Sequence, residues 1–411
     1  MALQKPKGTR DYYPEEKAVM NKISDSLRKT SLKYGFKEIE SPAFETIDLL
    51  SAKQGEEIKN QIFVLEKKGN EEFGLRFDLT VPFTRLFVEK QMELPKPVKW
   101  FGISRMWRYE RPQAGRLREF YQLSVELFGS DKAEADAEII SLAIDCLKSL
   151  GLTKKDIVVR LNNRALLEDF IKSIGAKDVG EVFKAIDKKL KIPPAAFDEE
   201  LKKAGLNDEQ AKKVKSFIKI KDISKIKIKS EALDNVKQVL DLLNDKKDFI
   251  ELDLSTARGL AYYTGTVFEV FDRKGKLRSI AGGGRYDDMV ELFGGQKTPA
   301  TGFAVGFATL QLLLEEKKLL PKPGLGVDYY VAVVSDKERK KALKIAEKLR
   351  KNNSVEIDLM GRNLKKQLDY ANKTKAKNVI IIGEEELKKG KLTVKDMKTG
   401  KEKKVSIDSL N

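Results

Sequence analysis

The chain contains no histidine and a single cysteine, Cys146, among its 411 residues. A lone cysteine cannot form an intramolecular disulfide, and without histidine it cannot complete a structural zinc site. Folds that depend on disulfides or structural zinc are therefore excluded, and the hydrophobic core must stabilise the chain. A hydrophobic fraction of 41% is sufficient for such a core. The low cysteine content also predicts a reducing, cytoplasmic location.

The absence of imidazole restricts the chemistry as well. It excludes a Ser-His-Asp triad, a Cys-His pair, histidine metal ligands and a histidine general base. Any catalysis must use arginine, lysine, carboxylates, hydroxyl groups and the substrate itself.

The hydropathy pattern indicates no membrane partner. No apolar run reaches the roughly 18–20 residues that span a bilayer, and the longest candidate, 302–314, contains Thr309 and Gln311. Residues 1–7 lack the apolar centre of a signal peptide.

The charge of the chain is positive and unevenly distributed. It has 80 Lys and Arg against 63 Asp and Glu, a net charge of +17. Residues 321–411 contain 23 basic and 13 acidic side chains, so this last segment contributes +10. The excess indicates a polyanionic partner such as nucleic acid, with a solvated lysine-rich surface as the alternative.

The sequence pattern predicts four segments. Residues 1–153 mix strands and helices, and 154–248 are lysine-rich with short amphipathic helical patterns, typical of a helical insertion. Residues 249–320 return to strands and glycines. After a Pro-Gly linker, strands alternate with helices through 321–411, which predicts a small α/β domain.

The segment 119–128 predicts the floor of a pocket. Because strand side chains alternate between faces, Tyr121, Leu123, Val125 and Leu127 form an ordinary core face. The opposite face collects Phe120, Gln122, Ser124 and Glu126, an aromatic ring followed by three polar groups. The alternative is a solvated edge strand.

Two further stretches favour an anionic ligand near that pocket. Residues 108–118 contain four arginines, which suit bidentate phosphate contacts, although a solvated loop is the alternative. Residues 257–265 and 281–287 combine arginines, tyrosines and glycines, and glycines allow close approach of a ligand to the backbone. A tight strand turn would also explain the second glycine run.

Together these segments resemble the histidyl-tRNA synthetase family of class II aminoacyl-tRNA synthetases. Residues 108–113 with 119–123 resemble motif 2, and 34–45 resemble motif 1, the dimer-forming element. Residues 258–265 resemble the histidine-specific signature, 282–287 its glycine-rich partner and 302–306 motif 3. The resemblance covers nearly the whole chain.

The resemblance implies an α+β catalytic domain with a six-stranded antiparallel sheet, a helical insertion and a C-terminal α/β anticodon-binding domain. It implies an enzyme, a histidine–tRNA ligase that forms histidyl-adenylate from histidine and ATP and transfers histidine to tRNA(His). The substrate carboxylate is then the nucleophile, so the enzyme needs no histidine of its own. ATP would bring Mg²⁺ through phosphate oxygens and water, with no protein metal site, and the chain would act as a homodimer.

By the same resemblance, Arg108 and Arg258 would be catalytic and clamp the α-phosphate. ATP would also contact Glu110 at its adenine amino group, Phe120 by stacking and Arg116 at the outer phosphates. The histidine-binding residues would be Asp78, Leu79, Thr80, Gln122, Glu126, Tyr262, Tyr263 and Tyr286. Among these, Glu126 and Tyr263 would contact the imidazole nitrogens, while Asp78, Thr80 and Gln122 would hold the α-amino group. A structural helix cap is the alternative role for Asp78.

Among the positions that depart from the family pattern, one bears on nucleotide binding. Thr309 stands where the arginine of motif 3 is usual. Either another cation replaces that arginine or nucleotide binding differs. In the C-terminal domain, Arg362, Lys365 and Lys366 are candidates for tRNA phosphate contacts.

Three other functions compete with this interpretation. The chain would otherwise be an inactive synthetase paralogue that regulates ATP phosphoribosyltransferase in histidine biosynthesis, a non-catalytic RNA-binding or nucleotide-sensing module, or another class II synthetase. Such a paralogue usually lacks both the anticodon domain and the Arg258 motif, and this sequence has both. A non-catalytic module would have no need of the arginines and the pocket carboxylate.

Overall fold

The computed structural model describes residues 4–52, 60–67, 69–189, 192–256 and 263–407. The chain divides into two compact units, one formed by Met1–Asp11 and Asn21–Pro321 and the other by Tyr12–Met20 and Lys322–Asn411. Within the described ranges, we find no helix with the length and apolar character of a membrane span.

The described elements before residue 321 are interleaved along the chain. The strands are β1 (Lys37–Glu38), β2 (Phe44–Thr46), β3 (Phe73–Leu75), β4 (Val98–Trp107), β5 (Glu119–Phe128), β6 (Ile157–Asn163), β7 (Ile250–Leu252), β8 (Thr266–Asp272), β9 (Ala281–Arg285) and β10 (Ala300–Gly306). The α-helices are α1 (Pro14–Lys33), α2 (Ile47–Ser51), α3 (Thr80–Lys90), α4 (Ala133–Lys148), α5 (Arg164–Ser173), α6 (Val179–Lys188), α7 (Pro194–Lys203), α8 (Asp208–Phe217), α9 (Glu231–Leu242), α10 (Met289–Leu292) and α11 (Phe307–Glu316).

A mixed sheet organises the first unit. Its strand order is β1-β4-β5-β10-β9-β8-β6-β7. Six consecutive strands pair antiparallel with one another, in the order β4, β5, β10, β9, β8 and β6. At the two edges, β1 pairs in parallel with β4 and β7 pairs in parallel with β6. The expected six-stranded antiparallel sheet is therefore confirmed, with a short parallel strand added on each side.

The glycine-rich segment 281–287 begins as the central strand β9 rather than as a tight turn. All five residues of β9 are buried. A Cβ added at Gly283 would lie 2.6 Å from the Cβ of Phe303 on β10, closer than two carbon atoms can approach. Glycine at this position lets β9 and β10 pair without overlap, so most of the glycine run serves the sheet.

The helical insertion begins later than the sequence pattern predicts. Residues 157–163 form β6, which pairs with β8 in the large sheet, and Asn163 then caps α5 directly. The run Ile157-Val158-Val159 is β-branched, as strands favour, but it directly follows Lys154 and Lys155 and was assigned to the lysine-rich segment 154–248 as a whole. Helices α5–α9 follow and pack around their own core, where the rings of Phe170 and Phe217 stack at 3.7 Å.

The second unit contains the predicted small α/β domain. Its strands are β11 (Tyr329–Val333), β12 (Val355–Ile357), β13 (Asn378–Ile382), β14 (Lys391–Asp396) and β15 (Glu402–Ser406), and its α-helices after residue 321 are α12 (Arg339–Leu349), α13 (Leu364–Lys373) and α14 (Glu384–Lys388). The sheet order is β12-β11-β13-β14-β15. Parallel pairing of β11 with β12 and β13 confirms the predicted alternation of strands and helices. The antiparallel β14 and β15 extend the sheet beyond the predicted strands.

Candidate active site

A cavity of about 270 Å³ lies over strands β5, β9 and β10 of the large sheet. The start of α3 and the loop between β4 and β5 complete its walls. The cavity brings together most of the predicted site residues, although they come from distant parts of the sequence. The predicted residues that line it are Asp78, Thr80, Arg108, Glu110, Arg116, Phe120, Gln122, Glu126, Tyr263 and Tyr286.

The other three predicted site residues are Arg258, Tyr262 and Leu79. Arg258 and Tyr262 lie outside the described residues, so their roles stay predictions. Leu79 is fully buried, and its side chain packs with Phe83 and Met106 in a hydrophobic cluster. The side chain of Leu79 therefore belongs to the core rather than to the cavity wall.

Strand β5 forms the cavity floor, as its alternation predicted. Phe120, Gln122 and Glu126 line the cavity, whereas Leu123 and Val125 on the other face are fully buried. The amide of Gln122 donates a hydrogen bond of 2.9 Å to the hydroxyl of Ser124. The polar face of β5 is therefore a continuous polar strip inside the protein.

The carboxyl group of Glu126 is buried and held by two hydroxyl groups. Thr80 Oγ1 donates to Glu126 Oε1 at 2.7 Å, and Tyr286 Oη donates to Glu126 Oε2. Gly302 lies opposite on β10, where any side chain would overlap this carboxyl. Burial raises the pKa of Glu126 to about 8, and the nearby Asp78 acts in the same direction, while the two hydroxyl hydrogen bonds oppose the rise.

This raised pKa makes the stability of the protein depend on pH. Between pH 4.5 and about 8 the folded state holds a proton on Glu126 that the unfolded chain has lost. The free energy of unfolding should therefore fall as pH rises through this window, by up to about 1.4 kcal/mol per pH unit. We expect Glu126→Gln to remove this contribution, as measured by chemical denaturation at several pH values.

A control from the same strand separates this effect from general electrostatics. Glu119 lies at the start of β5 and pairs with the exposed Arg105, so Glu119→Gln should keep the wild-type pH dependence. An unchanged slope in Glu126→Gln would contradict the assignment to Glu126.

Arg108 places a guanidinium group beside the ring of Phe120. Its Nε donates a hydrogen bond of 3.0 Å to the carbonyl oxygen of Phe77, and its Cζ lies 5.2 Å from the centre of the Phe120 ring. These two contacts hold the positive charge at the cavity wall, as a phosphate contact requires.

Glu110 and Arg116 form a bidentate ion pair within the cavity. Arg116 Nε and Nη2 donate to the two carboxylate oxygens of Glu110, and Arg118 Nε donates to the backbone carbonyl of Glu110 at 3.1 Å. The two residues predicted to contact the adenine and the outer phosphates thus form an ion pair with each other in the loop between β4 and β5.

Asp78 has both of the roles considered from the sequence. Its Oδ1 accepts a hydrogen bond of 3.3 Å from the backbone N–H of Val81 in the first turn of α3, as a helix cap does. The same side chain also lines the cavity. The cap therefore orients a carboxylate at the cavity wall.

Arg278, Glu269 and Thr309 also line the cavity, although none of them was predicted as a site residue. Arg278 and Glu269 line the cavity from the hairpin of β8 and β9. A cation shortly before a glycine-rich strand was the only sequence signal for Arg278. Thr309 lines the cavity as well, and its hydroxyl donates to the carbonyl oxygen of Gly115 at 3.2 Å. Thr309 thus supports the arginine-rich loop instead of supplying a charge.

Comparisons with known proteins agree with this geometry. The family model described as histidyl-tRNA synthetase matches residues 8–310, and the model described as anticodon binding domain matches residues 328–411. The histidine–tRNA ligase of Pyrococcus furiosus is 40% identical over 423 residues, covering 99% of this chain and 98% of that protein. The histidine–tRNA ligase of Haloarcula marismortui is 41% identical over 417 residues, covering 98% of this chain and 95% of that protein.

A solved structure is similar over the same extent. The crystal structure of histidyl-tRNA synthetase from Nostoc sp. PCC 7120 superposes with a TM-score of 0.83 at 28% identity, covering 99% of this chain and 98% of that one. The similarity therefore includes both units and is not limited to the cavity.

Proposed function

The chain belongs to the histidyl-tRNA synthetase family, and we propose from this premise that it activates histidine with ATP and transfers it to the 3′ end of tRNA(His). The observation that carries this function is the cavity itself. Within it, the buried, hydrogen-bonded Glu126 adjoins a wall that carries Arg108 and Arg116.

Glu126 and Tyr263 are suited to recognise the imidazole ring of histidine. Imidazole is a polar ring with a nitrogen at each end, and a buried polar site that satisfies both nitrogens discriminates strongly against apolar rings of similar shape. Glu126 is 2% exposed and Tyr263 is 7% exposed, so both side chains would meet the ring where little solvent is present. Thr80 and Tyr286 position the carboxyl of Glu126 for this contact.

The chemistry of activation requires positioning and charge stabilisation. The carboxylate of histidine attacks the α-phosphorus of ATP. A bond forms between a carboxylate oxygen and the α-phosphorus, and the bond from the α-phosphorus to the pyrophosphate oxygen breaks, so that pyrophosphate leaves. Arg108 would stabilise the negative charge that develops on the α-phosphate, and the predicted partner in this role is Arg258. Phe120 provides a ring for the adenine, and its position beside Arg108 brings the base and the phosphates into one cavity.

Magnesium is expected to accompany ATP. Two of the carboxyl groups that line the cavity already have partners. Glu110 is paired with Arg116, and Glu126 accepts hydrogen bonds from two hydroxyl groups. We propose that phosphate oxygens and water hold the ion, in agreement with the ligand preferences of Mg²⁺. The ion would supply further neutralisation of phosphate charge.

The decisive experiment is ATP–pyrophosphate exchange with each of the twenty amino acids. A synthetase of this specificity should show exchange with histidine alone. No exchange with any amino acid would favour the alternative of an inactive paralogue that regulates ATP phosphoribosyltransferase. Exchange with another amino acid would indicate a different class II synthetase.

The second unit is proposed to bind the anticodon region of the tRNA. Arg362, one predicted contact, is ion-paired with Asp358 and stacks on Tyr370, so its charge stabilises the domain. Lys365 and Lys366 are exposed in the first turn of α13. These two lysines are therefore the better candidates for phosphate contacts.

Reversing both charges tests this role of α13. The variant Lys365→Glu with Lys366→Glu should raise KM for tRNA in aminoacylation by about tenfold or more, about 1.4 kcal/mol, and leave ATP–pyrophosphate exchange unchanged. Lys388→Glu with Lys389→Glu, at the C-terminal end of α14 and the residue after it, changes the net charge equally and provides the control. Equal effects of the two double variants would argue against a contact at α13.

We also propose that the chain forms a homodimer through the region of motif 1. This region, residues 34–45, contains β1 at the edge of the large sheet and leads into β2, where Phe44 is 48% exposed. Light scattering coupled to size-exclusion chromatography should give twice the chain mass. A cytoplasmic location stays a prediction from the cysteine content.

A further inference from the structure

Arg278 lies at the rim of the cavity, across from the loop that carries Arg116. It precedes β9 by three residues and lines the same cavity as Arg116 and Phe120. Residue 278 is exposed, so its guanidinium group can meet a ligand that enters from solvent. Arg278 was not among the site residues predicted from the sequence.

The hairpin between β8 and β9 fixes the position of Arg278. The buried Asp272 accepts hydrogen bonds from the backbone N–H groups of Lys276 (3.1 Å) and Leu277 (2.8 Å). On the other side, the hydroxyl of Ser279 donates to the carbonyl oxygen of Ala281 at 2.8 Å. Arg278 is therefore presented by an ordered turn, which reduces the entropic cost of binding through it.

Arg278 lies among the charged groups Arg116, Glu110 and Glu269 of the same cavity. Arg116 is neutralised by Glu110, whereas Arg278 makes no ion pair or hydrogen bond to a side chain within the described residues. Partial burial and then the charge of Arg116 lower the pKa of Arg278, while the carboxylates of Glu110 and Glu269 oppose the shift. A ligand with several negative charges would remove this repulsion.

We infer that Arg278 and Arg116 together bind the outer phosphates of ATP, which become the pyrophosphate product. The inference rests on the proposed function and adds a residue to it. The β- and γ-phosphates carry several negative charges within a few ångströms, and planar guanidinium groups suit bidentate contacts with them. Arg278 is then the cation that takes the place of the arginine missing at Thr309.

The test distinguishes a contact with the outer phosphates from a contact with any other part of the substrates. In ATP–pyrophosphate exchange, Arg278→Ala should raise KM for ATP and weaken pyrophosphate binding by about 10- to 100-fold. The KM for histidine should not change. A non-hydrolysable sulfamoyl analogue of histidyl-adenylate, which has no outer phosphates, should bind with wild-type affinity, and this binding also shows that the variant is folded.

Two further variants sharpen the result. Arg278→Lys keeps the charge but loses the bidentate geometry, so its KM for ATP should lie between wild type and Arg278→Ala. Lys276→Ala removes a positive charge from the same turn, away from the cavity lining, and should behave as wild type.

Several results would overturn the inference. These are an unchanged KM for ATP in Arg278→Ala, equal weakening of ATP and of the adenylate analogue, or normal exchange with a raised KM for tRNA, which would assign Arg278 to tRNA. If the wild-type protein shows no histidine-dependent exchange, the proposed function itself fails, and that outcome is seen before any variant is made.

Discussion

Replacing Arg108 by alanine should slow histidine-dependent ATP–pyrophosphate exchange by about 10²- to 10³-fold at saturating substrates. The guanidinium group of Arg108 is held by the carbonyl oxygen of Phe77 at 3.0 Å and lies beside Phe120, where the adenine is expected to stack. Because the negative charge on the α-phosphate grows in the transition state, loss of this cation should affect kcat more than KM for histidine.

Arg105 provides the matched control for this experiment. It lies three residues earlier, in β4, and is exposed, with its guanidinium group paired to Glu119 at 2.7 Å. Arg105→Ala removes the same charge and should keep nearly full exchange activity. A loss of less than about tenfold in Arg108→Ala, equivalent to about 1.4 kcal/mol, would contradict a direct role in transition-state stabilisation.

Replacing Asp136 by alanine should lower the free energy of unfolding by about 1–3 kcal/mol. Asp136 in α4 and Arg285 in β9 form an ion pair of 2.9 Å, with side chains 0% and 7% exposed. Thr266 Oγ1 on β8 donates to the same carboxylate at 2.9 Å. Without Asp136, the buried charge of Arg285 keeps Asp287, 3.1 Å away and 28% exposed, as an ion-pair partner. The variant therefore loses the more deeply buried of the two pairs, and chemical denaturation measures the cost.

A surface pair shows how much of this effect comes from burial. Asp131 and Lys132 are also ion-paired, at 3.3 Å, but their side chains are 66% and 73% exposed. Asp131→Ala should change stability by less than about 1 kcal/mol, because solvent screens exposed pairs. If both variants lost the same stability, the buried pair would not be the cause.

Local patterns were enough to predict the chemical character of the site. The alternation of β5 gave Phe120, Gln122 and Glu126 as one polar face, and they line the cavity together. Alternation is a property of neighbouring residues in a strand, so it can be read without knowing what packs against the strand. The helix cap at Asp78 was likewise predictable, because capping depends on residues three positions apart.

Contacts between distant segments were not predictable in the same way. Leu79 lies between two cavity residues, yet it packs into the core with Phe83 and Met106, because successive side chains point in different directions. β6 was hidden in a lysine-rich region, since its place in the sheet depends on pairing with β8 more than 100 residues later. Arg278 came into the site only through the hairpin that Asp272 holds.

The sequence by itself determined which chemical groups this protein can use: no imidazole, one thiol, and arginines next to a strand with a polar face. It also determined the family, because the motif residues are adjacent along the chain. Only the tertiary structure decided that Arg278 shares a cavity with Arg116, that Thr309 supports a loop, and that Glu126 has a raised pKa. The reason is that electrostatic energies depend on the distance between charges and on how far solvent is excluded. For residues far apart in the chain, only folding determines that distance and that exclusion of solvent.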